Sequence, residues 1–253
     1  MARFSTDFRN ISVKQTIILI ATVNLAVFVF LNIATRLFPD SQPIGSFFLE
    51  TENTYHLWSL ATYSFCHISF SHLIVNMAVL ILAGFIIEKK SITRLSGKNV
   101  AIIYMASAFG GGISFLVSAH HSSVLIGASA AVMGLSGALA LACINTSITL
   151  PFPGRINMMT LILILLAWVI VVTAASSPET TIVHSAGLAT GILSFTLLTV
   201  LQRYKSIHNR LSKRSYFDRL NLKVRTSGFT SLNEDERNFF INQSQDNAKQ
   251  QEL

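Results

Sequence analysis

The sequence predicts an all-α, polytopic membrane protein built as a bundle of six transmembrane helices. Three observations lead there. Of the 253 residues, 51% are hydrophobic and only 12% charged, whereas soluble domains carry about 25% charged residues. The charges are also clumped: Asp, Glu, Lys and Arg are absent from the intervals Glu52–Glu88, Lys98–Arg155, Arg155–Glu179 and Glu179–Arg203. Finally, Lys and Arg gather in alternate connections, as they do in membrane proteins that keep their basic loops in the cytoplasm.

A helix needs about 20 apolar residues to cross the hydrocarbon core. On that measure the spans lie at about 16–38, 68–88, 99–119, 124–146, 157–175 and 181–202. The first follows a charged lead (residues 1–15) and lacks a small-residue cleavage pattern, which makes it an anchor and not a cleaved signal. Arg3, Arg9 and Lys14 precede it. Lys89, Lys90, Arg94 and Lys98 lie between spans two and three, Arg155 lies between four and five, and Arg203 opens the segment after span six. The opposite connections hold Asp40, Glu50, Glu52 and Glu179, with Arg36 the only nearby base. Both termini are therefore expected in the cytoplasm, with the chain a multi-pass protein of the plasma or inner membrane.

The organisation expected is a cytoplasmic N-terminal segment (1–15), a membrane domain (16–203) and a cytoplasmic polar tail (204–253), basic then acidic and partly disordered. In that tail Ser231 with Glu234 is placed to cap a short helix carrying Phe239 and Phe240. The net charge of +7 is a topology signal, and no nucleic-acid partner is expected. The basic stretch Arg203–Arg225 is either ordinary positive-inside excess or a face for anionic lipid headgroups. Cys66 and Cys143 have no motif spacing, and neither a disulfide nor a metal role is assigned to them.

Polar groups inside a bilayer are costly and need a partner or a purpose. His72 and Asn76 stand four apart near the start of span two, on one helix face. Ser129 opens the apolar core of span four in "LIGASAAVMGLSGALALA", and His184 lies near the start of span six in "TIVHSAGLATGIL". By the topology above, all four lie at similar depth on one side of the membrane. Taken singly, each has a plainer role: a membrane serine back-bonds to its own helix, and His72 and Asn76 could bridge two helices. Ser136 keeps that plainer role, His67 is read as structural at the interface, and His120 and His121 sit in a short loop.

Together the four supply an acyl-transfer site. A serine needs a base, and histidine is the usual one. The developing oxyanion needs fixed donors, which His72, Asn76 and backbone amides near Ser129 could provide. Gly127 allows a tight turn ahead of Ser129, and Gly187 and Gly191 form a small-xxx-small face on span six that permits close helix approach. No carboxylate lies near these four groups in any span, so the site would be a dyad.

These motifs resemble those of the rhomboid intramembrane serine proteases. "GASA" (Gly127–Ala130) is similar to the family's Gly-x-Ser-Gly, "HSAGLATG" (His184–Gly191) to His-x-x-Gly-x-x-x-Gly, and "HLIVN" (His72–Asn76) to His-x-x-x-Asn. Trp58, Thr62, Phe65 and His67 resemble the lead into that span. The resemblance covers roughly residues 16–203 and leaves the tail unexplained. It implies a six-transmembrane-helix rhomboid-like bundle with Ser129 as nucleophile and His184 as general base. His72 and Asn76 would stabilise the oxyanion, with neither metal nor cofactor. The partners implied are the lipid bilayer and transmembrane protein substrates, cut in or next to their spans.

Three positions depart from the family pattern. Ala130 replaces a Gly, Met133 stands where an aromatic residue usually packs on the histidine, and Ser59 replaces an Arg that follows the loop tryptophan. A thioether can still pack on an imidazole ring. The alternative reading is a catalytically inactive rhomboid-like protein that binds transmembrane clients. A solute path is disfavoured, because the polar groups collect at one side and no span carries a charge for ion coupling.

Overall fold

The structure, a computed structural model, describes residues 11–38, 42–52, 56–89, 95–119, 122–142, 147–149, 155–157, 160, 164, 171 and 178–251. The chain divides into two compact units, Met1–Leu198 and Thr199–Leu253, against the boundary at 203/204 read from the sequence.

In the first unit, helix α1 (Val13–Leu37) starts at a capping box. The Ser12 hydroxyl accepts from the Gln15 N–H, and the Gln15 side chain accepts from the Ser12 N–H. The chain then makes a 3₁₀ turn (Gln42–Phe47) and the two-residue strand β1 (Leu49–Glu50). A short helix α2 (Ser59–Thr62) leads into α3 (Phe70–Lys89) across a 94° bend. Helix α4 (Gly97–Ser118), strand β2 (Val124–Leu125) and helix α5 (Ser129–Ala142) follow. A small hairpin pairs β3 (Ser147–Thr149) with β4 (Arg155–Asn157). The last helix of the unit, α6 (Pro178–Ser227), continues past the unit's end.

Helices α1, α3, α4, α5 and α6 lie at the expected spans one, two, three, four and six; α1, α4 and α6, and α3 taken with the bent α2 segment, are long and apolar enough to cross a membrane, while α5, with 14 residues, is shorter. The fifth, at 157–175, falls almost wholly outside the described residues. Span four departs from its expected start. Residues 124 and 125 form a strand instead of helix, because they pair antiparallel with Glu50 and Leu49.

The burial pattern inverts that of a soluble bundle. On α1 the buried side carries Thr16, Ile17, Ile20, Asn24 and Leu31, while Ile18, Leu19, Leu25, Val29, Phe30 and Ile33 face outward. Such an apolar exterior suits lipid and would be a liability in water. Several buried polar groups bond within the protein, where the hydrocarbon offers no water. The Asn24 amide donates to the Ile20 carbonyl, and the Tyr104 hydroxyl donates to the Ser64 carbonyl. Helix α4 packs against α5 and α1, with Val100, Ile103, Tyr104 and Ala108 in a common core with Leu80, Ala131 and Leu135.

Lipid tails are as apolar as leucine, so helix association in the membrane rests on close packing of small residues. Here it is backbone against backbone. A Cβ on Gly187 would lie 2.8 Å from the Ala130 Cα, and one on Gly191 would overlap the Gly134 backbone. Gly134 in turn admits the Ser107 side chain of α4. The sequence reading of Gly187 and Gly191 as a close-approach face holds, and its partner is Ala130-xxx-Gly134.

In the second unit α6 ends at Gly228, whose φ of +81° favours glycine. A 3₁₀ turn (Phe229–Ser231) then leads into α7 (Glu234–Gln251). Tyr216 packs edge-on against Phe239, with ring centroids 4.8 Å apart, and Phe217 stacks on Phe240 at 5.1 Å. Leu220 and Leu232 are buried. The capping pair is Asn233 with Glu236, each accepting from the other's backbone N–H, and not Ser231 with Glu234. The Ser231 hydroxyl instead donates to the Gly228 carbonyl within the 3₁₀ turn. Backbone expected to be partly disordered is helical as far as Gln251.

Two outcomes follow. Gly191→Val must push α5 and α6 apart; overpacking of this kind costs about 1–3 kcal/mol, read as a lower thermal midpoint in detergent. Thr196→Ala, on an exposed part of the same helix, should shift stability by less than about 0.5 kcal/mol. In the tail, hydrogen bonds from the Lys223 ammonium and the Asn233 N–H hold the Glu236 carboxyl below its ordinary range. Its contribution to the hairpin is therefore present above the ordinary glutamate pKa and is lost as pH falls through the depressed value. Amide exchange in α7 should rise on acidification through that window, and Glu236→Gln should flatten the response.

Candidate active site

The approach to α5 is set by backbone bonds. Leu49 pairs with Leu125 and Glu50 with Val124. The Thr51 N–H donates to the Ser123 carbonyl, the Ser123 N–H donates to the Thr51 hydroxyl, and the Ser122 hydroxyl bonds the Glu52 carboxylate. The other end of this loop is fastened to α2: the Trp58 indole N–H donates to the Ser46 carbonyl, and the Thr62 hydroxyl to the Phe47 carbonyl. Ser59, where the family pattern has Arg, is buried, and Trp58 and Thr62 anchor the loop beside it.

Past β2 the Gly127 N–H donates to the Tyr63 carbonyl at 3.0 Å. Tyr63 is itself fully buried, and its hydroxyl donates to the Ala108 carbonyl. Gly127 has φ +131°, and a Cβ there would stand 2.6 Å from the His72 ring. Only glycine meets both conditions without strain. The turn delivers Ser129 as the first residue of α5, where backbone N–H groups lack intrahelical acceptors and the positive end of the helix dipole lies.

The Ser129 hydroxyl and His184 Nε2 are 2.8 Å apart. His184 is buried on the second turn of α6, and Ser129 is half-buried. Among the described residues His184 Nδ1 is enclosed without a hydrogen-bond partner. This approach exists because Gly187, one turn beyond His184, rests on the backbone of Ala130, the residue after Ser129. Met133 lies one turn after Ser129 on α5 and is half-buried.

On α3 the Ser69 hydroxyl accepts from the His72 N–H and caps the helix. His72 is half-buried, with its ring against Gly127. Asn76, buried one turn on, places Nδ2 3.2 Å from the His72 carbonyl and 3.2 Å from His67 Nε2. The His67 and His72 rings meet edge-to-face at 5.1 Å.

Thus Ser129 and His184 are brought into direct contact, and Gly127, Gly187 and Gly191 perform the close approaches expected of them. His72 borders the serine turn. Asn76 lies behind it with its amide nitrogen engaged elsewhere. Sequence reading missed two participants. Tyr63 acts through a main-chain carbonyl, which leaves no residue signature. Gly134, the partner of Gly191, carried a visible signal in its spacing from Ala130. Ser136 donates to the Val132 carbonyl, as expected. Cys66 is a buried free thiol, while Cys143, His120 and His121 lie outside the described residues. Among the described residues no three His, Cys, Asp or Glu side chains gather as a metal site would require.

The fold and site define a polytopic helical membrane protein with a hydroxyl–imidazole pair held between two closely packed helices. The family model described as the Rhomboid domain matches residues 54–201, and the chain belongs to the rhomboid family. No curated protein matches the sequence.

Gly127→Ala should cost about 1–3 kcal/mol, the usual range for a residue held in a sparsely populated backbone region. It should also displace His72. The check is a thermal midpoint in detergent, together with the line shape of the His72 imidazole resonance.

Proposed function

We propose that the chain is an intramembrane serine endopeptidase that hydrolyses peptide bonds in or next to transmembrane segments of membrane-protein substrates. The observation that supports this reading is the 2.8 Å contact between the Ser129 hydroxyl and His184 Nε2. The Ser129 oxygen attacks the scissile carbonyl carbon as His184 Nε2 takes the hydroxyl proton. The carbonyl oxygen becomes an oxyanion, met by the free N–H groups at the start of α5 and by the α3 side chains His72 and Asn76. Collapse breaks the C–N bond, and His184 returns the proton to the leaving amine. A water molecule, deprotonated by His184, then releases the acyl group and regenerates Ser129.

With no carboxylate among the hydrogen-bond partners described for His184, the imidazole is oriented by packing: Gly187 against Ala130 fixes the α6 backbone, and the Ser129 hydroxyl fixes Nε2. The basic loops support a topology with both termini in the cytoplasm and the dyad near the opposite face. Residues 1–15 and 204–253 then flank a membrane domain of residues 16–203.

The test is purified protein in liposomes with a single-span substrate, followed in parallel by a fluorophosphonate label. Ser129→Ala should abolish cleavage and labelling while the protein stays folded. Ser136→Ala should leave both nearly unchanged, since its hydroxyl only back-bonds its own helix. His184→Ala should lower turnover by at least about 10²–10⁴-fold, and wild-type activity should fall on acidification, because protonated imidazole cannot accept the serine proton. Wild-type labelling in His184→Ala would overturn the dyad. A folded wild type that neither labels nor cleaves would identify an inactive client-binding relative.

A further inference from the structure

The chemistry proposed above asks Asn76 to serve the oxyanion, yet its amide hydrogens are already spoken for. Nδ2 sits 3.2 Å from the His72 carbonyl and 3.2 Å from His67 Nε2. A carboxamide nitrogen carries two hydrogens, so both are in use. The orientation is not arbitrary. A backbone carbonyl can only accept, so the nitrogen and not the oxygen of Asn76 must face His72. His67 Nε2 then receives the second N–H and acts as acceptor, which places the His67 proton on Nδ1. His67 is buried, sits on the link between α2 and α3, and meets the His72 ring edge-to-face at 5.1 Å.

We infer that His67 is a positioning residue for the reaction, acting through Asn76: its ring nitrogen sets the amide plane of Asn76 and holds one N–H in reserve. A hydrogen bond to an oxyanion is roughly twice as strong as one between neutral partners, so the N–H moves from His67 to the oxyanion only once negative charge has developed. The donor is thereby preorganised and costs no reorganisation of the chain. No covalent step is added, because His67 neither gains nor loses a proton. The edge contact with His72 places both α3 side chains of the oxyanion group under the same residue. This inference rests on the protease reading and concerns how its oxyanion donors are held.

The experiment is a cycle of His67→Ala, Asn76→Ala and the double variant in liposomes, with kcat and KM measured separately and fluorophosphonate labelling run alongside. His67→Ala should lower kcat about 10-fold or more with KM unchanged, within the 10²–10³-fold ceiling for loss of one donor. The double variant should be no slower than Asn76→Ala alone, because the two changes remove one device. His67→Gln, whose carbonyl oxygen can accept from the Asn76 amide, should recover most of the rate, whereas His67→Leu should not. Multiplicative effects in the double variant, or equal rates for His67→Gln and His67→Leu, would overturn the inference. A lowered thermal midpoint in His67→Ala moves the comparison to the Gln and Leu variants, which both fill the space and differ in the acceptor. Failure of the protease reading looks different, because the wild type itself would then neither label nor cleave.

Discussion

The contact on which the site depends is between two backbones. Ala130 and Gly134 of α5 lie directly on Gly187 and Gly191 of α6, with no side chain between them. In lipid there is no apolar transfer term to drive helices together, so the attraction is dispersion over a close-fitting surface. That geometry has a chemical consequence. Ser129 precedes Ala130, and His184 stands one turn ahead of Gly187, so the helix distance that satisfies the glycines also sets the hydroxyl–imidazole distance at 2.8 Å. The departure at Ala130 is tolerated because its methyl is taken up elsewhere: a Cβ built on Gly111 of α4 would meet it at 2.5 Å, so Gly111 makes room for it.

The other half of the site is held by main-chain bonds. The pairing of Leu49 with Leu125, the Gly127 N–H on the Tyr63 carbonyl and the Ser69 cap on α3 fix a loop that would otherwise expose unpaired polar groups at membrane depth. A buried group left unpaired costs about 1–3 kcal/mol, so these bonds specify one conformation more than they add stability. The positive φ at Gly127 belongs to the same constraint, since the turn must pass beside the His72 ring.

What was legible in the sequence divides along this line. Ser129, His184, His72 and the glycines announced themselves because polar or side-chain-free residues in apolar spans are costly unless used. The bonds made by Tyr63 and by β1 with β2 left no trace, because any residue offers the same N–H and C=O. Asn76 was legible as a polar group but not as one already bonded to His67, since that contact depends on the bend between α2 and α3. In the tail, Ser231–Glu234 and Asn233–Glu236 have the same spacing, and the sequence does not show that the Ser231 hydroxyl is taken up by the Gly228 carbonyl in a 3₁₀ turn. The helical end of the tail was missed because polar composition says little about a helix supported by a neighbour.

Chemistry and packing part company among the hydroxyls. Thr16 donates to Ser12, Ser107 to Ile103, Ser136 to Val132, Thr190 to Ala186 and Thr196 to Ile192, each to the carbonyl one turn back. This back-bonding lets a hydroxyl reside in an apolar helix without a tertiary partner. Ser129 has no helical turn behind it, because the backbone before it is the Gly127 turn. Its hydroxyl is denied the local acceptor that quiets the others and is directed across to His184. The same eight-residue stretch therefore holds two serines of opposite character, and the start of the helix distinguishes them: Ser136 belongs to its own helix, while Ser129 belongs to the space between two.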